Sequence, residues 1–89
     1  MKIETTRHYD RAFDHLSVPA QEKVLKAIPS ITAAFGKPHG HLSLRKLGGR
    51  LYEFRVGLKL RIVFRQDDDT LFLLLIGTHD DVKRFIRSL

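Results

Sequence analysis

Leu51–Arg65 reads Leu-Tyr-Glu-Phe-Arg-Val-Gly-Leu-Lys-Leu-Arg-Ile-Val-Phe-Arg. Tyr52, Phe54 and Val56 alternate with Leu51, Glu53 and Arg55. Beyond a glycine-containing turn, Leu60, Ile62 and Phe64 alternate with Arg61, Val63 and Arg65. Successive side chains of a strand point to opposite faces, so each run has one apolar face and one face carrying arginine. Directly opposed residues of an antiparallel pair share a face. Uniting the two apolar rows therefore sets Val56 opposite Leu60, Phe54 opposite Ile62 and Tyr52 opposite Phe64. The loop left over is Gly57-Leu58-Lys59, a common hairpin length with a glycine available for positive φ. The same register sets Arg55 opposite Arg61 and Leu51 opposite Arg65. Like charges opposed across a ladder destabilise a sheet, and a chain carrying this pair is expected to use it to hold an anion. Tyr52 falls on the apolar face and reads as core.

Upstream of the hairpin, Gly48-Gly49 is a turn, and Leu42, Ser43 and Leu44 read as a short strand. Further back, Tyr9, Ala12, Phe13 and Leu16 have the i, i+3, i+4, i+7 spacing of an amphipathic helix over His8–Leu16. Ser17-Val18-Pro19 breaks it, and Pro19 opens a second helix, where its missing N–H costs nothing. Val24, Ile28, Ile31 and Phe35 form the buried stripe of that helix. Pro29 predicts a kink or break near Leu25–Pro29, because an interior proline deletes a backbone hydrogen bond. Gly36 and Pro38 end the helix. Lys2–Thr6 reads as an edge strand.

Downstream, Gln66–Thr70 turns the chain. Its three aspartates lack the ligand spacing of a calcium loop and read as a solvated hairpin turn. Leu71–Ile76 is apolar on both faces, the mark of a central strand covered on both sides. Thr78, with Asp81 three residues on, has the pattern of a capping box and starts a helix at about His79, with Val82, Phe85, Ile86 and Leu89 as its apolar stripe. The element order is β-α-α-β-β-β-α. It predicts an α+β fold with a helical hairpin packed on a small antiparallel β-sheet, in one domain spanning residues 1–89.

Hydrophobic residues make up 43% of the chain, which is ordinary for a globular domain. There is no cysteine, so disulfides and thiolate chemistry are excluded. The first ten residues lack the apolar core of a signal peptide, and Leu71–Ile76 is too short to span a bilayer. A cytoplasmic protein without membrane contact is expected. Residues 37–65 hold eight Lys or Arg against one acid, a net of +7, whereas residues 66–89 come to −2. Such clustering favours a polyanionic partner. Arg45, Lys46, Arg50 and Arg65 are candidate RNA-binding cations within it. His39-Gly40-His41 offers two imidazoles but no third ligand at suitable spacing, so it reads as a turn; neither a metal nor a cofactor is expected.

Several stretches together resemble one family: Leu47-Gly48, Leu51-Tyr52-Glu53-Phe54-Arg55-Val56, Leu60-Arg61-Ile62-Val63-Phe64 and Leu75-Ile76-Gly77-Thr78-His79. These stretches and the element order resemble the RelE/ParE superfamily of bacterial toxins from toxin–antitoxin pairs. The resemblance implies a toxin whose ribonuclease branch cleaves mRNA in the ribosomal A site, thereby inhibiting translation. Its partners would be the cognate antitoxin, mRNA and the ribosome, with operator DNA reached only through the antitoxin. It implies Arg55 and Arg61 as the basic strand positions, His79 as the catalytic histidine, and Phe85 near an aromatic that contacts RNA. Glu53 departs from members with lysine there, and Phe85 lacks a hydroxyl for proton transfer. The superfamily also holds gyrase poisons, so a non-enzymatic toxin acting on DNA gyrase is the alternative; a third is a catalytically inactive module that binds nucleic acid or antitoxin.

Metal-free cleavage of RNA needs a base for the ribose 2′-OH, cations for the developing phosphate charge and an acid for the leaving 5′-oxygen. An imidazole, with an ordinary pKa of about 6.5, suits either proton transfer. Arginine forks fit phosphate oxygens. His79, Arg61 and Arg55 are therefore the candidate catalytic residues.

Overall fold

A computed structural model describes residues 1–35 and 43–89. The hairpin forms in the expected register: β3 (Leu51–Val56) and β4 (Leu60–Asp67) pair with Tyr52 opposite Phe64, Phe54 opposite Ile62, Val56 opposite Leu60 and Arg55 opposite Arg61. Gly57 opens the loop at φ +65°, a conformation that a Cβ disfavours. Around this pair the chain runs β1 (Lys2–Thr5), α1 (Arg7–Asp14), α2 (Val18–Phe35), β2 (Leu44–Gly48), β3, β4, β5 (Thr70–Gly77) and α3 (His79–Arg87). The sheet order is β1-β5-β4-β3-β2.

The α+β class is as expected, with one more strand than the expected order contains. That strand is β2, which the sequence reads as a short strand at Leu42–Leu44 outside the element order; it runs instead from Leu44 to Gly48 and pairs antiparallel with β3. The sheet is also mixed rather than purely antiparallel, because β1 joins β5 in parallel, Ile3 opposite Leu71 and Thr5 opposite Leu73. β1 is an edge strand as expected, and its pairing leaves β5 central. The helix-ending Gly36 and Pro38, the His39-Gly40-His41 turn and Leu42 lie outside the described residues.

α1 and α2 cover one face of the sheet. Tyr9, Val24, Ile31 and Ala34 meet Phe54, Ile62, Phe64, Leu71 and Leu73 there. Phe35 packs edge-on against Tyr52 and Phe64, with ring centroids 4.9 and 5.5 Å away, and Tyr52 stacks on Phe64 at 5.7 Å. The opposite face carries α3, where Val82 packs with Val63 and Leu75, flanked by Leu47, Leu51 and Phe85. β5, covered on both faces, carries a register shift: Phe64 pairs with Leu73 but Val63 pairs with Leu75, so Leu74 is an extra residue.

α2 runs through Pro29 without the expected break. Leu25 is 60% exposed and Pro29 is exposed too, so the Leu25 carbonyl that proline leaves without a partner lies on the solvent side. Among the described residues no helix is long and apolar enough to cross a membrane.

Tyr9, only 5% exposed, reports on the helical layer. Burial, aided by the negative charge of Asp10, pushes its phenol up to about 12. The raised value favours the neutral phenol in the folded state. The resulting stability is complete below the unfolded phenol pKa of about 10 and is lost as pH rises through about 12. Urea midpoints between about pH 9.5 and 11.5 should therefore fall more steeply for the wild type than for Tyr9→Phe. Parallel curves would remove Tyr9 from the alkaline transition.

Candidate nucleic-acid interface

The α3 face of the sheet gathers the predicted catalytic residues. The ladder sets Arg61 opposite Arg55 on one side and opposite Gly77 on the other. His79 follows two residues after Gly77 as the first residue of α3. Its imidazole is exposed and, among the described residues, makes no hydrogen bond. Register and helix start therefore bring Arg55, Arg61 and His79 to one end of the sheet.

The start of α3 is pinned. Thr78 caps it, its Oγ1 accepting from the Asp81 N–H at 3.3 Å, while the Thr78 N–H donates to Asp81 Oδ2 at 2.9 Å. This is the expected capping box, and the Thr78 N–H bond is the chief reason the Asp81 carboxyl is held below the usual carboxylate range. Arg84 closes the arrangement with an ion pair to Asp81. Asp81 packs directly on Gly77: a Cβ at Gly77 would lie 2.6 Å from Asp81 Cβ. Any side chain there would push the helix start away from β5.

Glu53 occupies the centre of the same face and is 4% exposed. Its Oε1 accepts from Arg61 Nη1 at 2.8 Å. Glu53 opposes Val63, one position diagonal to Arg61 on the same face, and faces Arg45 of β2 directly. The repulsion built into the Arg55–Arg61 pair is thus offset by a buried carboxylate between the two strands. From the sequence, Glu53 reads only as a departure from members of the resembled family with lysine there. The signal was present, because residues 53 and 55 share a face and diagonal neighbours lie within reach of long side chains.

The remaining candidates are spread out. Arg65 lies opposite Phe72, four residues along the strand from Arg61, or roughly 13 Å at 3.3 Å per residue. Its guanidinium sits 5.2 Å from the Phe72 ring centroid, and its Nε donates to Asp67 at 2.9 Å. Arg50 donates to the other oxygen of Asp67 at 2.8 Å. The Arg50 hydrogen bond leads the causes that hold the Asp67 carboxyl low, with Arg65 adding to it. Arg45 and Lys46 are exposed on β2, where strand alternation sends them to opposite faces. Phe85 is committed to the Val63–Leu75–Val82 cluster and stacks on His8, with centroids 6.2 Å apart.

No family model matches the chain, and no curated protein matches its sequence. Solved structures do match. The toxin–antitoxin complex RelBE2 of Mycobacterium tuberculosis aligns over 88% of this chain and 96% of that one, at 19% identity and a TM-score of 0.64. The YoeB/ParE toxin of Agrobacterium tumefaciens covers 89% and 99% at 19% identity and the same TM-score. The isolated RelE toxin of E. coli covers 99% and 98% at 14% identity, again with a TM-score of 0.64.

The chain has the RelE/ParE toxin fold.

Within this RelE/ParE-type sheet, Arg61 and Arg55 differ in what supports them. The Arg61 side chain is 17% exposed and bonded to Glu53, whereas Arg55 is exposed and makes no ion pair among the described residues. Removing one partner of a buried pair leaves the other charge uncompensated. Arg61→Ala should therefore cost about 3 kcal/mol of unfolding free energy. Arg55→Ala should stay within about 0.5 kcal/mol of the wild type, as surface changes do. Chemical denaturation of both variants checks the difference, and equal stabilities would deny Glu53 its role as a buried counter-ion.

Proposed function

We propose that the protein is the toxin of a toxin–antitoxin pair, a metal-independent endoribonuclease that cleaves mRNA on the ribosome and so inhibits translation. The observation that carries the reading is the juxtaposition of an exposed histidine at the start of α3 with Arg61, two residues away through Gly77, and with Arg55 across the ladder. The RelE/ParE fold supports it, because the matched structures are described as toxins, one of them in a toxin–antitoxin complex.

In the proposed reaction the ribose 2′-oxygen attacks the adjacent phosphorus. A bond from O2′ to phosphorus forms and the bond from phosphorus to O5′ breaks. The products are a 2′,3′-cyclic phosphate and a 5′-hydroxyl. One proton leaves O2′ and one reaches O5′, and His79 carries one of these two transfers. Arg61, fixed by Glu53, and the exposed Arg55 neutralise charge gathering on the non-bridging oxygens. An arginine already oriented by a carboxylate needs little reorganisation as that charge develops.

The cognate antitoxin is expected to bring an acidic segment that is disordered alone and orders on the toxin. Co-purification with the product of an adjacent small reading frame tests this. Recovery of the toxin without any such partner would weigh against the pair.

His79→Ala should leave stability within about 1 kcal/mol, since an exposed first-turn residue contributes little packing. Its loss should slow cleavage by about 10²–10⁴-fold with RNA binding nearly unchanged. Primer extension on cellular mRNA after induction measures the effect. Cuts expected with the wild type should vanish with a folded His79→Ala chain, and growth arrest should be relieved. Unchanged cuts in the variant would remove His79 from the chemistry. Intact mRNA with gyrase-linked DNA damage under the wild type would replace the ribonuclease reading by the gyrase one.

A further inference from the structure

Two clefts adjoin beside the β3–β4 turn. One, of about 620 Å³, lies between the α1–α2 link and that turn, where Leu16, Lys23, Val56, Lys59 and Thr78 contribute to its walls. The other, of about 440 Å³, runs between α2 and the end of β3, where Lys23, Lys26, Ser30 and Arg55 contribute. Both include Lys23, Val56 and Gly57, so they form one trough.

Four cationic residues border it, Lys59, Lys23, Lys26 and Arg55, the last on a strand position whose side chain alternates to the α3 face. Among the described residues no Asp or Glu lines either cleft. None of the four makes an ion pair among the described residues, whereas Arg50, Arg61, Arg65 and Arg84 each hold a carboxylate. An arginine or lysine already paired must give up or share its partner to bind an anion; an unpaired one gives up only water and counter-ions. The trough thus offers an external polyanion cations that no carboxylate among the described residues already holds. At one end it reaches Thr78, the residue before His79. At the other it reaches Arg55, which lies opposite Arg61.

We propose that this trough binds the phosphodiester backbone of single-stranded RNA on the flank of the nucleotide presented to His79. The proposal rests on the ribonuclease reading for its ligand and adds a binding path made by Lys23, Lys26 and Lys59. It reaches Thr78, the residue before His79, and borders β3 at Arg55, which favours the substrate strand over an acidic protein segment. Phosphate contacts of this kind hold the strand in register without reading its sequence.

Anisotropy of a fluorescein-labelled single-stranded RNA oligonucleotide tests it, using the full chain carrying His79→Ala so that the RNA stays uncut. Lys23→Gln, Lys26→Gln and Lys59→Gln change exposed side chains, and circular dichroism verifies that the triple variant folds. Each lost contact with a single strand removes roughly 0.7 from the slope of log affinity against log salt. The triple variant should therefore bind with a slope shallower by about 2 and about 100-fold more weakly at 0.1 M salt. Lys2→Gln with Arg11→Gln, exposed positions that line neither cleft, should leave the slope unchanged.

A triple variant that binds as the parent does would overturn the proposal, as would absence of RNA binding by the parent. Lysine-dependent binding of a poly-glutamate peptide, without RNA binding, would also overturn it and assign the trough to an acidic protein segment. Cleavage by the chain with His79 intact is scored separately. Lysine-dependent binding without cleavage keeps the trough and removes the ribonuclease; cleavage with lysine-independent binding does the reverse.

Discussion

A carboxylate buried beneath arginines is the constraint on which the α3 face of this protein depends. Glu53 is 4% exposed, and a charge so placed is tolerated only when paired and hydrogen-bonded. Arg61 supplies the pairing across the β3–β4 ladder. The bond does two things at once. It offsets the repulsion of Arg61 by Arg55 that the apolar register imposes, and it fixes a guanidinium on the middle strand, at the end of the sheet where β5 stops. Without Glu53, the register that buries Tyr52, Phe54 and Val56 would carry two opposed cations with nothing between them. With it, the opposed pair keeps one outward charge, Arg55, and one immobilised charge, Arg61.

The parts of the fold legible in the sequence are those fixed by local period and turn chemistry. A one-residue slip of β3 against β4 would put every apolar side chain on the wrong face, so alternation alone set the register. The capping box at Thr78 and Asp81 was legible for the same reason, being complete within four residues. What escaped was non-local or solvent-dependent. The parallel pairing of β1 with β5 joins residues nearly seventy apart and leaves no periodic trace. The continuity of α2 through Pro29 depends on which side of the helix faces water, and the extent of β2 depends on its partner rather than on its own Leu-Arg-Lys-Leu-Gly.

Charge followed a similar division. The excess in residues 37–65 was plain from counting, yet counting could not separate paired cations from unpaired ones. Arg50 and Arg65 looked as available as Arg55, but Asp67, from the acidic turn beyond the segment, holds both. Lys23 and Lys26 come from a stretch whose bases and acids nearly balance, and only packing of α2 against β3 brings them beside Arg55. His79 was placed correctly at the helix start because strand end, cap and helix are contiguous in sequence. Its neighbours on the sheet were legible through the register; Glu53 as the partner of Arg61 required the diagonal contact.

The extra residue at Leu74 ties the core to the candidate site. Below it, Phe64 pairs with Leu73; above it, Val63 pairs with Leu75 and Arg61 with Gly77. Had the ladder continued without the shift, Arg61 would lie opposite Ile76, and a branched apolar side chain would share its face. The bulge instead turns Ile76 toward the helical hairpin, where it is 5% exposed, and gives Arg61 a glycine as its neighbour. That glycine is also the only residue that fits beneath Asp81, whose Cβ would otherwise meet it at 2.6 Å. One inserted residue thus fills the core on one face and, on the other, opens space beside Arg61 and seats the cap that begins α3 at His79. The β5 segment is apolar on both faces because helices cover both sides of the sheet, and the bulge determines which of its residues stand beside the proposed chemistry.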